Sequence, residues 1–226
     1  MSAEFPHPAD VSRARKAIVE VCARMHARGY IVASDGNVSV RVGEGRLLVT
    51  PSGARKGFMS PEELVVCDLD GRPVRGELHR PSAEIAMHVA VYGERPDVGA
   101  VVHAHPPCAV AHTIAGLSLA APLMPETLCA LGEIVMLRYT TPTTHEVPEA
   151  LRRPIRTAVA VMMERHGSIT VGRTLSEAYD RLEILENAAR VSMMARVLAL
   201  GGPATPLDSE QLRGLSVYLG CGTMGA

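Results

Sequence analysis

The stretch GAVVHAHPP, residues 99–107, sets His103 and His105 two positions apart at the end of an apolar run that two prolines then stop. Side chains i and i+2 of a strand leave the same face, so both imidazoles would project together from the strand end. Two such rings either need two sets of interior partners or form half of a metal site. His166, in MMERHGSITVG, stands where another short apolar run begins, again at an element boundary. Three imidazole nitrogens suit a zinc-like divalent ion and leave a position open for substrate, as in catalytic rather than structural sites.

A carboxylate precedes the pair. In RPSAE, Ser82 can start a helix with Glu84 in its first turn. Glu84 reads either as an acid favoured by the helix dipole or as a metal ligand that also acts as a base. His88, one turn on, reads as a helix-face residue that could stand behind the site; His112 reads as a helix-surface residue. SDGNVSVR and TPSG each flank a predicted strand. Tight glycine turns with Ser and Asn side chains can cradle phosphate oxygens, and Ser82 at a helix start adds the same chemistry. The same residues also serve as plain turns.

These groups need a framework. Asp10 or Ser12 could cap a first helix that Gly29 closes. NVSVRV, RLLVT and LVVCDLDG read as strands, and PSAEIAMHVAVYGERP as a helix. VGAVVHAH is a strand, followed by a helix from about Pro107 to Ile114. EIVMLRY is a strand, EVPEALRRPIRTAVAVMME reads as mainly helical with Pro154 limiting its regular part, and GSITVG is a short strand. A long helix begins at Thr174 or Ser176, and the tail from Gly201 holds a short helix. This order predicts a mixed α/β sheet covered by helices.

Composition narrows the partners. With 47% hydrophobic residues but only 3% aromatic, the core must be filled by Ala, Val, Leu and Met. A formal charge of −1 gives no electrostatic reason to expect nucleic acid or an anionic membrane. Cys22, Cys67, Cys108, Cys129 and Cys221 are odd in number and widely spaced, which predicts reduced thiols and a cytoplasmic protein. No signal pattern opens the chain, and no apolar run is uninterrupted enough to span a membrane.

SDGNVSVR, TPSG, PSAE, RPDVGAVVHAHPP and HGSITVG follow the order and approximate spacing of the class II aldolase/adducin family, which the chain resembles over roughly residues 12–200. The resemblance implies one α/β domain over residues 1–226, its core at about 12–200 and its tail at 201–226. Its fold would be a three-layer α/β/α sandwich with a central mixed, mainly antiparallel sheet. His103, His105 and His166 would bind Zn2+ or another divalent ion such as Mn2+ or Co2+. Glu84 would ligate the resting ion and be released to act as base. Gly36, Asn37, Ser52, Gly53 and Ser82 match the family's phosphate-binding positions.

Two departures matter. Ala83 stands where the family has a second phosphate-binding serine, and no tyrosine aligns with the family's proton donor. Glu126 falls near that place, and Tyr218 in the tail is the other candidate donor. The implied reaction is metal-dependent cleavage of a fuculose-phosphate-like ketose 1-phosphate to dihydroxyacetone phosphate and an aldehyde, through a metal-stabilised enediolate. Decarboxylases, dehydratases and a 4-epimerase of phosphorylated sugars or sugar acids share the family, as do noncatalytic adducin heads. The epimerase branch carries aspartate at the Glu84 position, and adducin heads lack the metal histidines. The family's usual assembly implies a homotetramer with active sites at subunit interfaces.

Overall fold

A computed structural model describes residues 8–43 and 45–219, with side chains for 11–43 and 45–215. Helix α1 (Pro8–Ala27) starts ahead of both expected caps, Asp10 and Ser12. It ends as expected at Gly29, whose φ of 73° is open to glycine at little cost. The Gly29 and Tyr30 amides donate to the His26 and Met25 carbonyls at 3.0 and 2.8 Å, closing the helix with a Schellman motif.

Among the described residues the sheet has seven strands: β1 (Asn37–Val42), β2 (Arg46–Val49), β3 (Val65–Asp68), β4 (Ala100–Ala104), β5 (Val135–Leu137), β6 (Ala160–Met163) and β7 (Gly167–Gly172). Their spatial order is β3-β2-β1-β4-β7-β6-β5. Every pairing is antiparallel except β5 with β6, so the sheet is mixed and mainly antiparallel. The helices are α2 (Ile85–Glu94), α3 (Pro107–Ile114), α4 (Pro125–Leu131), α5 (Glu146–Arg152), α6 (Leu175–Leu198) and α7 (Ser209–Leu219).

Alternation along the strands divides the core. Val38, Val40, Ala100, Val102 and Ala104 face α1 and the start of α6. Val101, Val161, Ile169 and Val171 face α2 and α5 on the other side. Ala160 and Met162 pack with α3, α4 and the middle of α6. Helices thus cover both faces of the sheet, making an α/β/α sandwich.

Four expectations are corrected. AVAVMM does not continue a helix: α5 stops at Arg152, Pro154–Arg156 forms a 3-10 turn, and β6 follows. All four β6 residues are buried, so the run carries no polar period to mark it as strand. The helix after PSAE begins at Ile85 with Glu84 as N-cap, and Ser82 Oγ instead accepts the Glu84 amide at 3.3 Å. His112 is not on a surface; it is buried, donating from Nδ1 to the Cys108 carbonyl and meeting Ser192 Oγ at 3.1 Å. Cys22, Cys67 and Cys108 are free thiols as expected, but Cys129 is disulfide-bonded. Cys221 lies outside the described residues.

Candidate active site and metal centre

Register brings the predicted groups to one end of the sheet. Asn37 at the start of β1 pairs with His103 near the end of β4, and Ala104 pairs with Ser168 at the start of β7. His105 therefore lies just past β4, and His166 just before β7. One potential ligand atom from each of His103, His105 and His166 lies within 4.8 Å of the others. The ring centroids are 4.9, 4.9 and 5.3 Å apart.

Hydrogen bonding fixes what these rings offer. His103 Nδ1 is 2.9 Å from the Ser168 carbonyl, which can only accept, so the proton is on Nδ1 and Nε2 is bare. That bare nitrogen faces His105 Nε2 at 3.1 Å. His166 Nδ1 is buried with no partner. Nitrogens that converge or lack a partner are what a shared divalent cation would satisfy, so the donor set fits zinc or a similar ion. Gly167 supplies the space: an added Cβ would meet the Ala104 carbonyl at 2.4 Å, His105 Cδ2 at 2.6 Å and His103 Cε1 at 3.1 Å.

Glu84 faces this cluster. Its Oε1 is 3.1 Å from His166 Nε2, and its Oε2 is 3.4 Å from His103 Nε2. Asn37 Nδ2 also donates to Oε2, at 2.8 Å. Burial opposes ionisation of Glu84, but hydrogen bonds and charge from His103 and His166, when those rings are protonated, outweigh it and hold its pKa below the usual carboxylate range. Burial, reinforced by His103 and His166, pushes His105 down to about 4 against the pull of Asp35 and Glu84. Asp35 Oδ2 stands 3.5 Å from His105 Nδ1, an orienting contact that sequence reading missed inside SDGN.

The anion-binding candidates are stitched beside this centre. The Thr50 amide donates to the Val38 carbonyl at 3.0 Å, the Ser52 amide to the Arg80 carbonyl at 2.9 Å, and the Ser82 amide to the Thr50 carbonyl at 3.1 Å. Ser52, Gly53 and Ser82 therefore converge, with Ser52 and Gly53 exposed. Gly36 must be glycine, since its φ is 66° and a Cβ would meet Ile31 at 2.6 Å and the His103 carbonyl at 2.8 Å. Buried Lys56 donates to the Ser34 and Ala54 carbonyls, joining the turn before Asn37 to the turn after Ser52. Asn37 is different: its side chain is already engaged by Glu84 and His88.

His88 is fully buried behind Asn37, in keeping with the reading that set it behind the site. Glu126 sits in the first turn of α4 and lines a cavity of about 280 Å³ with Arg28, Tyr30, Thr127 and Arg190. Tyr218 falls in α7, but its side chain lies outside the described residues.

Comparison with known proteins agrees with this geometry. The profile of a family described as class II aldolase and adducin N-terminal domain matches residues 16–193. An L-fuculose phosphate aldolase of Methanococcus vannielii is 31% identical over 177 residues, covering 78% of this chain and 94% of that protein. A 3-oxo-tetronate 4-phosphate decarboxylase of Haemophilus influenzae is 30% identical over 181 residues, covering 78% and 85%. The crystal structure of l-fuculose-1-phosphate aldolase from Thermus thermophilus superposes with a TM-score of 0.73 at 33% identity, covering 85% of this chain and all of that one.

Proposed function

Because the chain belongs to the class II aldolase and adducin family, we propose that it is a metal-dependent carbon–carbon lyase that cleaves a ketose 1-phosphate to dihydroxyacetone phosphate and an aldehyde. The observation that carries this reading is the convergence of three imidazoles and one carboxylate at the strand ends. An adducin-like binding role would need neither the converging nitrogens nor the carboxylate held against them.

His103, His105 and His166 would hold the ion, zinc or else manganese or cobalt, with Glu84 beside it. Bound there, the ion would act as a Lewis acid on the substrate's oxygens and draw off the charge that develops as the carbon–carbon bond breaks. Glu84 carries the proton at the carbon next to the carbonyl: it returns that proton in cleavage and removes it in condensation. Ser52, Gly53 and Ser82, with the turn at Gly36, hold the phosphate, so that binding energy remote from the reacting carbons fixes their geometry. Glu126 or Tyr218 serves as proton donor to the aldehyde oxygen.

Decarboxylation of a phosphorylated sugar acid is the second reading, supported by the similarity to the Haemophilus decarboxylase. The two reactions release different products. Metal-loaded protein supplied with ketose 1-phosphates and phosphorylated keto acids is expected to form dihydroxyacetone phosphate from the former. Carbon dioxide from the latter, with no aldol cleavage, would replace the aldolase reading by the decarboxylase. Glu126→Gln is expected to remove one limb of the pH–rate profile, with Tyr218→Phe the milder change; the reverse order assigns the donor to the tail.

A further inference from the structure

Between β1 and α2 five polar side chains form one line ending on Glu84. Tyr92 Oη is 2.9 Å from Ser39 Oγ, and Ser39 Oγ is 2.7 Å from His88 Nδ1. His88 Nε2 contacts Asn37 Oδ1, and Asn37 Nδ2 reaches Glu84 Oε2 at 2.8 Å. Ser39 and His88 are fully buried, with Asn37 2% and Tyr92 4% exposed. Four polar side chains in a hydrophobic layer are costly unless every hydrogen bond is made, so the direction of each bond matters.

Asn37 Nδ2, donating to Glu84 Oε2, fixes all of them. Glu84 can only accept, so Asn37 must present its amide N–H to it and its carbonyl to His88. That carbonyl can only accept, so His88 must carry its proton on Nε2. Burial, with a smaller push from His103, lowers the His88 pKa to about 3 against the pull of Glu84, so the ring is neutral and Nδ1 is a bare acceptor. Ser39 then donates its hydroxyl proton to Nδ1 and is left to accept from Tyr92. Every donor points toward Glu84.

We propose that His88 is a positioning residue for the catalytic carboxylate: through Asn37 it locks one oxygen of Glu84, with Ser39 and Tyr92 satisfying its bare Nδ1 from behind. The inference rests on the reading of Glu84 as the base. It also reassigns the Asn37 side chain from holding phosphate to orienting that base. With Oε2 held by Asn37, Glu84 keeps one rotamer and leaves Oε1 on the His166 side.

Two measurements on the metal-loaded full chain test this. Long-range proton–nitrogen NMR correlation of 15N-histidine-labelled protein should give His88 as the Nε2–H tautomer, identified by loss of its signal in His88→Leu. Ser39→Ala, which removes the donor to Nδ1, should move the Nδ1 resonance while Asn37 keeps the proton on Nε2, and it identifies the signal if the leucine variant does not fold. An Nδ1–H ring in the unaltered protein overturns the proposal whatever the substrate is, whereas failure to find a lyase reaction leaves this result intact and sinks only the reading of Glu84. In kinetics, His88→Leu should lower kcat at least ~10-fold with KM, phosphate inhibition and metal content within about threefold, and His88→Gln, which keeps a side-chain N–H, should recover most of it. A folded leucine variant with unchanged kcat, or one whose KM and metal content fall together with kcat, overturns the positioning role.

Discussion

A histidine ligates a cation only through a bare ring nitrogen, so the bond on its other nitrogen decides whether it can be a ligand. At His103 that bond goes to the Ser168 carbonyl at 2.9 Å, and the bare Nε2 is turned to His105. Changing His105 to Ala removes one of the three rings but no strand pairing, since β4 ends at Ala104. The variant is expected to lose most bound metal by elemental analysis while its circular dichroism stays native; full metal retention would take His105 out of the ligand set. Glu84→Gln tests the other half of the centre. The amide keeps the size of the carboxylate but cannot take up a proton at neutral pH, so turnover should fall at least ~10²-fold with metal content near normal. A fully active glutamine variant would reduce Glu84 to a helix N-cap. At this scale the histidine cluster was readable, because spacing of two on a strand is a statement about faces. Gly167 was not, because its reason is steric: the space its Cβ would fill belongs to two histidines at the end of another strand.

The elements were readable where polar and apolar residues alternate, and misread where they do not. NVSVRV shows its period, but its polar positions, Asn37, Ser39 and Arg41, do not face water. They lie under α2, where Arg41 donates to the Tyr92 carbonyl at 2.7 Å and Ser39 meets His88. Alternation marks two faces without saying that α2 covers the polar one, so the hydrogen-bonded line to Glu84 was hidden in a plain strand signal. β6 was misread because both its faces are apolar. α3 shows a third case. Pro106 and Pro107 follow His105 and bring neither an amide proton nor a capping side chain to the helix start. Glu186, fully buried on α6, accepts instead from the Cys108 and Ala109 amides at 3.0 and 2.9 Å. Glu186→Ala would orphan both, and urea unfolding should show a loss of about 1–3 kcal/mol. Glu186→Gln, which keeps an acceptor, should lose less; equal losses would mean that the carboxylate's charge at the helix start matters more than its hydrogen bonds.

For the whole molecule, the sheet end that gathers the site also concentrates buried titratable groups, and their shifts act in one direction. At the far end of α6, Val197 and Leu198, with Leu200 just beyond, are 70%, 83% and 97% exposed. Stability against acid is set at the site. His88 is buried and His105 half-buried, with pKa values lowered from 6.5 to about 3 and about 4. An unfolded chain therefore takes up protons at these positions from about pH 6.5 downward, while the folded chain does not until about pH 4 and then 3. Between those values the unfolded state binds more protons, so stability rises with pH and is lost as pH falls. Glu84 adds to the same trend at lower pH: its depressed pKa favours the fold above the ordinary carboxylate value and loses that contribution as acid protonates the unfolded chain. A bound cation would compete with protons at His105, though not at His88, and should hold the fold to lower pH until it is released. The urea midpoint of chelator-stripped protein is thus expected to be constant above about pH 7 and to fall steadily from about pH 6.5 to 4.5. Metal-loaded protein should resist the first part of that fall. A stripped protein whose midpoint stayed flat or rose over the same range would mean that its buried imidazoles are not neutral, and that the convergent nitrogens at the strand ends are already protonated rather than available to an ion.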